Sequence, residues 1–136
     1  PFIEEAGVVI NWSKDDKLGI KLNGINTSKT SLIDGNGNVL SEFTFKTLPS
    51  KCLIQETKIY CAIPKNIPEK IKLPADYYKK SAYFEDTFYV IDLSTGGFSE
   101  ITTESNLAID AEHLEILNGK LLFKNRLDEK LYSLQL

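Results

Sequence analysis

Residues Val8 to Leu22 read VVINWSKDDKLGIKL, in which two apolar runs flank the polar segment SKDDK. Each run has the length and β-branched composition of a strand, and Asp side chains favour a turn between them because they hydrogen-bond to the local backbone. A related pattern returns at Asp86 to Gly97, which reads DTFYVIDLSTGG. Self-similar units of strands and tight turns predict a repeat architecture.

Turn-separated strands divide the chain into three units, about 1–46, 47–103 and 104–136, and no segment shows sustained helical periodicity. Four antiparallel strands make one blade of a β-propeller. We therefore predict a single all-β region of antiparallel, four-stranded, blade-like units, about three consecutive blades of a β-propeller with the last blade lacking its outer strand. The alternative is a closed up-and-down β-barrel. The predicted strands are 8–13, 17–22, 30–33, 39–45, 52–55, 58–63, 87–93, 98–102, 114–117, 120–124 and 130–136.

The segment WSKDDK at 12–17 resembles the Trp-Ser-Pro-Asp-Gly-Lys hairpin of WD40-like and TolB-type propeller repeats, with Lys14 and Asp16 in place of the usual Pro and Gly. Later stretches, at 51–52, 60–65, 73–79 and 121–125, resemble the C-terminal region of uncharacterised bacterial proteins that carry such repeats. The resemblance implies a binding or assembly surface and no catalytic residues. Because propellers usually have four to eight blades, three units would need further blades or other copies to close a ring.

Composition restricts the classes of function. The 136 residues, 42% hydrophobic and 26% charged, suit a globular domain. The net charge is -3 and the lysines are dispersed, which argues against a nucleic-acid partner. No apolar run reaches the roughly 20 residues of a spanning helix, so we expect no membrane span in this chain. The chain starts at Pro1 without Met, so an earlier signal or anchor stays open; the bacterial cell envelope or the extracellular space is the favoured location.

An inserted loop at 64–82 interrupts the second unit. It is rich in proline and carries Tyr77, Tyr78, Lys79 and Lys80. Loops of this length are usually functional or mobile, and exposed tyrosines are common in protein interfaces. These four residues are therefore the predicted binding residues. The competing and favoured interpretation is a flap whose tyrosines pack over a blade edge.

The two cysteines form a candidate disulfide. If Glu56 and Thr57 make a two-residue hairpin turn, Cys52 faces Cys61 at a non-hydrogen-bonded position, where Cα atoms approach to about 4.5 Å. That separation suits a disulfide, which would indicate an oxidising compartment. Two reduced cysteines packed as small apolar residues are the equal alternative.

Catalytic and metal-binding patterns are scarce. His113 is the single histidine, and a lone histidine is usually structural. The segment DGNGN at 34–38 lacks the Gly and Glu spacing of a calcium loop, so it predicts an Asx-rich hairpin turn. We therefore expect no enzyme activity, no catalytic residue, no metal site and no cofactor.

These observations favour a non-catalytic β-propeller binding or assembly module of a bacterial envelope protein. Its partner would be a protein or a polymer, recognised through the blade turns and the 64–82 loop. Two alternatives belong to other classes: a carrier of small apolar ligands, built on the barrel, or the non-catalytic part of a larger hydrolase.

Overall fold

Alternating apolar residues, broken by Asp, Asn and Gly turns, form antiparallel strands along the whole described chain. The structure is a computed structural model that describes residues 2–5, 8–23, 29–67, 83–102 and 108–136. The described strands pair in three separate antiparallel sheets.

Sheet 1 contains β1 (Phe2–Glu5), β2 (Val8–Trp12), β3 (Leu18–Asn23), β4 (Lys29–Asp34) and β5 (Val39–Glu42), paired in that order. Sheet 2 follows a short 3-10 helix (Pro49–Lys51) and contains β6 (Cys52–Gln55), β7 (Lys58–Pro64), β8 (Asp86–Asp92) and β9 (Phe98–Ile101). Sheet 3 contains β10 (Ala111–Leu117), β11 (Lys120–Asn125) and β12 (Lys130–Gln135).

The prediction of an all-β chain with antiparallel sheets is confirmed. The alternative of a closed up-and-down β-barrel is wrong for the described strands, because they form three sheets with free edges instead of one continuous sheet. A carrier function built on that barrel loses its structural basis. The sequence pattern also missed β1, which adds a fifth strand to sheet 1 by pairing with β2.

Two hairpin turns are stabilised by the Asp side chains that the sequence singled out. The Asp15 carboxylate accepts a hydrogen bond from the Ser13 hydroxyl (2.7 Å) and from the Lys17 amide (3.1 Å). The Asp34 carboxylate accepts the amides of Asn36 and Asn38, both at 2.9 Å. These hydrogen bonds lower the pKa of both Asp side chains. The segment 34–38 is therefore an Asx turn, as its composition predicts.

Sheet 2 lies between the other two sheets because β7 is apolar on both faces. Ile59, Cys61 and Ile63 pack against sheet 1 in one core. Tyr60 and Ala62, which alternate with them, pack against sheet 3 in the other. A strand that is buried on both faces reads as a continuous apolar run, and β7 contains the run IYCAI.

The hairpin of β6 and β7 has the register expected from a two-residue turn, with Cys52 opposite Cys61. The two sulfur atoms form a disulfide, and both cysteines are buried in the core between sheets 1 and 2. The bond therefore closes a short loop inside a packed interface.

Reduction of this disulfide should lower the free energy of unfolding by about 2–3 kcal/mol, because it restores chain entropy to the unfolded state. Urea unfolding with and without dithiothreitol measures the change. A variant carrying both Cys52→Ala and Cys61→Ala is the control, since reductant should leave its midpoint unchanged. A wild-type midpoint that does not respond to reductant contradicts the prediction.

Candidate functional site: a buried ion-pair cluster and an inter-sheet cleft

Four charged side chains meet where the segments of sheet 2 and sheet 3 join. Lys51 ends the 3-10 helix, Asp86 begins β8, Asp110 precedes β10 and Arg126 follows β11. The side chains of Lys51, Asp86 and Asp110 are 0% exposed, and that of Arg126 is 5% exposed. We call these four residues the ion-pair cluster. Charges buried to this degree are tolerated only when they are paired and hydrogen-bonded.

The Lys51 ammonium group uses all of its hydrogen-bond donors. It contacts Asp86 Oδ2 at 2.6 Å and Asp110 Oδ1 at 2.5 Å, and it donates to the Ala111 carbonyl oxygen at 2.9 Å. A lysine has three donors and no acceptor, so this geometry satisfies it fully. Lys51 thereby joins sheet 2 to the chain that enters sheet 3.

The second carboxylate, Asp110, has contacts with two further segments. Its Oδ2 accepts the Phe84 amide at 2.8 Å and Arg126 Nη1 at 2.9 Å. Its own amide donates to Asn125 Oδ1 at 3.1 Å. Asp110 is therefore held by the segment before β8 and by the end of β11, and it fixes the start of β10.

Asp86 is less completely satisfied than Asp110. Its Oδ2 accepts from Lys51 and from the Ala111 amide at 2.7 Å. Its Oδ1 is buried and has no hydrogen-bond partner among the described residues. Burial raises the pKa of Asp86, and the neighbouring Lys51 charge offsets only part of that effect.

An open cleft of about 680 Å³ lies beside the cluster and is lined by residues of all three sheets. We call it the inter-sheet cleft. Asn11, Trp12, Ser13 and Lys14 come from sheet 1, Ser50, Cys52, Leu53 and Ile54 from the sheet 2 segment, and Glu112, His113, Leu114 and Glu115 from sheet 3.

The ion-pair cluster fixes two walls of the cleft, because residues of those walls are adjacent in sequence to residues that bond within the cluster. Ser50 and Cys52 flank Lys51, and Glu112 follows Ala111, whose carbonyl and amide both bond to the cluster. Asn11 adds the third wall, since its Nδ2 donates to the carbonyl oxygens of Pro49 (3.0 Å) and Cys52 (3.3 Å). The cleft is therefore preformed by buried polar contacts.

Trp12 supplies the aromatic wall. It pairs with Gly19 across β2 and β3, and its ring lies over that glycine. A Cβ atom at position 19 would approach the Trp12 ring to 2.9 Å and Ile33 Cγ1 to 3.2 Å. The glycine is needed here for close approach, and it fixes the position of the indole.

His113 occupies a different environment from the structural one that the sequence favoured. It has a positive φ of 54° and lies at a register shift between Glu112 and Glu115. Its side chain is 73% exposed, and Nε2 is 3.9 Å from Glu112 Oε1. A β-bulge re-aims the side chains around it, and His113 lines both the inter-sheet cleft and a second pocket beside Leu131 and Tyr132.

The structure describes some of the site residues predicted from the sequence and not others. Cys52 lines the cleft and is bonded to Cys61. Tyr77, Tyr78, Lys79 and Lys80 lie outside the described residues. The ion-pair cluster was not predicted from the sequence. One signal was present in the sequence: Asp110 lies between the apolar residues Ile109 and Ala111, and Asp86 lies two residues from both Phe84 and Phe88.

Neither a metal-binding cluster nor a membrane-spanning helix is present among the described residues. No group of three or more His, Cys, Asp and Glu side chains in them is arranged to hold a metal ion. Within the same part of the chain, no helix has the length and apolar character needed to cross a membrane.

Comparison with known proteins gave no relative: no family model, curated protein or solved structure matches this chain.

Replacement of Lys51 by Met should lower the free energy of unfolding by about 3–5 kcal/mol, because it leaves two buried carboxylates without their shared cation. Urea denaturation measures this loss. The matched control is Lys65→Met, which breaks an exposed pair with Glu85 (3.4 Å) and should cost no more than about 1 kcal/mol. Equal effects of the two substitutions contradict a stabilising role for the cluster.

Asp86→Asn and Asp34→Asn should show opposite pH dependences. The pKa of Asp86 is raised in the folded state, so the folded protein binds that proton more tightly than the unfolded chain does. The penalty of Asp86→Asn should therefore shrink as the pH rises above about 4, the unfolded value. The pKa of Asp34 is lowered, so the penalty of Asp34→Asn should be fully present above about pH 4, the unfolded value, and should shrink as the pH falls below it.

Urea unfolding of both variants and the wild type between about pH 2.5 and 7 measures the two pH dependences, one on each side of the unfolded pKa. Parallel trends would contradict the assignment of Asp86 as a carboxyl group destabilised by burial.

Proposed function

We propose that this chain is a non-catalytic binding module built from propeller-like blades, and that it recognises an extended segment of a partner protein in the inter-sheet cleft. The observation that carries the proposal is the convergence of all three sheets on one cleft of about 680 Å³. Ligand sites in proteins are typically concave, largely preformed and lined by apolar groups with a few polar ones.

The order and packing of the three sheets support this proposal. Three antiparallel sheets follow one another along the chain, and each packs face to face on the next through an apolar core. Successive sheets that each contribute strand residues to a common cleft provide a rigid scaffold for recognition. Trp12 ends one such strand, β2, and Ser13 and Lys14 follow it.

The lining of the cleft favours a ligand with both apolar and cationic groups. Trp12 and Leu53 offer apolar contact area, and indole rings attract cations. Among the described residues that line the cleft, the acidic side chains of Glu112 and Glu115 outnumber the basic side chain of Lys14, which favours a cationic ligand. A peptide segment with an Arg or Lys side chain between apolar residues matches this lining.

The disulfide also supports a proposal about the compartment in which the protein works. Disulfides persist in oxidising compartments, which include the bacterial periplasm and the extracellular space. Together with the sequence resemblance to bacterial propeller repeats, the Cys52–Cys61 bond leads us to propose that the module works in the bacterial envelope or outside the cell.

Trp12 provides a direct test because it is the chain's one tryptophan and lies in the cleft wall. The probe is a capped pentapeptide with Arg at its centre and Ala and Leu elsewhere, and the comparison peptide carries Glu in place of Arg. We expect a saturable change in Trp12 emission with the Arg peptide and a much weaker one with the Glu peptide.

Glu115→Gln should weaken binding of the Arg peptide about two- to fivefold, the size expected for a partly exposed charge pair. Glu100→Gln on β9 removes a carboxylate that does not line the cleft, and it should leave the affinity unchanged. Absence of saturable binding by either peptide would refute recognition in the cleft. Preference for the Glu peptide would refute the proposed ligand charge.

A further inference from the structure

In the part of the chain that the structure describes, strand β12 forms a free, regular edge of sheet 3. It pairs with β11 over six residues without a register shift, from Asn125 with Lys130 to Lys120 with Gln135. Within the described residues it pairs with no other strand. Sheet 3 thus ends at three strands, whereas sheets 1 and 2 have five and four.

The hydrogen-bond ladder shows which backbone groups face outward. The Leu136 amide donates to the Gly119 carbonyl at 3.1 Å, so residue 136 is oriented toward β11. Because antiparallel pairs alternate, residues 134, 132 and 130 also face β11. The amides and carbonyls of Leu131, Ser133 and Gln135 therefore point away from the sheet.

Two other edge strands, β5 and β9, carry features that discourage pairing. A register shift between Leu32 and Ile33 interrupts the pairing of β4 with β5, and β5 ends at Glu42. β9 has only four residues and includes Glu100. Charges, bulges and short length are the usual protections of a sheet edge.

None of these protections interrupts β12. Its one charged residue, Lys130, stands at the first position, and Leu131 is 82% exposed. A regular, nearly uncharged edge with an exposed leucine is a surface that other strands pair with readily.

We propose that β12 pairs with β12 of a second copy of this chain, in an antiparallel dimer centred on Ser133. The two copies then use the same surface, as a two-fold axis requires. Leu131 lies opposite Gln135, Tyr132 opposite Leu134, and Lys130 opposite Leu136. No like charges oppose each other in this register, which is the charge argument for self-pairing.

The faces of the sheet also match. Tyr132 and Leu134 pack toward the core between sheets 2 and 3, so their cross-dimer pair extends that apolar face. Leu131, Ser133 and Gln135 alternate with them on the other face, and their outward backbone groups satisfy each other across the axis. The two three-stranded sheets become one continuous six-stranded sheet.

The test compares Ser133→Pro with Ser133→Ala by size exclusion with light scattering. Proline removes the central outward amide without removing a hydrogen bond to β11, and it is tolerated on edge strands. We expect the wild type and Ser133→Ala to have twice the chain mass and Ser133→Pro to have the mass of one chain. Unchanged Trp12 emission in each variant reports that the fold is intact.

A second measurement covers the case in which Ser133→Pro fails to fold. Ser133→Cys creates a single free thiol, because Cys52 and Cys61 are bonded to each other. Residues opposite each other in a hydrogen-bonded pair have Cα atoms about 5.5 Å apart, within disulfide range. Mild oxidation should link Ser133→Cys into a dimer and leave Leu117→Cys, on β10, as single chains.

A wild-type mass of one chain at about 100 µM, a typical weak-dimer concentration range, refutes the proposal. So does a dimeric mass for folded Ser133→Pro, or equal cross-linking of the two cysteine variants.

Discussion

The pairing of Lys51 with Asp86 and Asp110 is the constraint on which the rest of the structure depends. An ammonium group with no solvent exposure needs its carboxylates, and these come from the start of β8 and the segment before β10. The segments that carry these carboxylates must therefore lie close together, independently of the conformation that their local turns favour. Apolar packing between sheets is non-directional, whereas hydrogen-bonded charges specify a single arrangement.

The cleft is a consequence of that arrangement. Lys51 and Ala111 are held together by a hydrogen bond, which fixes the positions of the residues next to them in sequence. Those neighbouring residues therefore do not fill the space beside the ion-pair cluster. Ser50, Cys52 and Glu112 are these neighbours, and they line an opening instead of closing a core. A preformed cleft loses little conformational entropy when a ligand binds, and this is the physical reason for proposing that it is the recognition site.

Much of the architecture follows from local sequence. The strands of β2, β3 and β11 were predicted to within a residue or two, because turn chemistry at Asp15, Asp34 and Asn118 acts within a few residues of chain. The facing of Cys52 and Cys61 followed from the same short-range geometry. The cleft was not predictable in this way, since its walls are separated by tens of residues and join only through buried contacts.

The sequence by itself determined that the chain is all-β, where its turns lie and which cysteines face each other, because these depend on side-chain alternation and on hydrogen bonds between near neighbours. The tertiary structure alone decided that Lys51, Asp86, Asp110 and Arg126 are buried together and that His113 projects from a bulge. Each of these features depends on contacts between residues far apart in sequence. The local sequence around a charged residue does not show whether its side chain will be exposed to solvent or paired with a distant carboxylate.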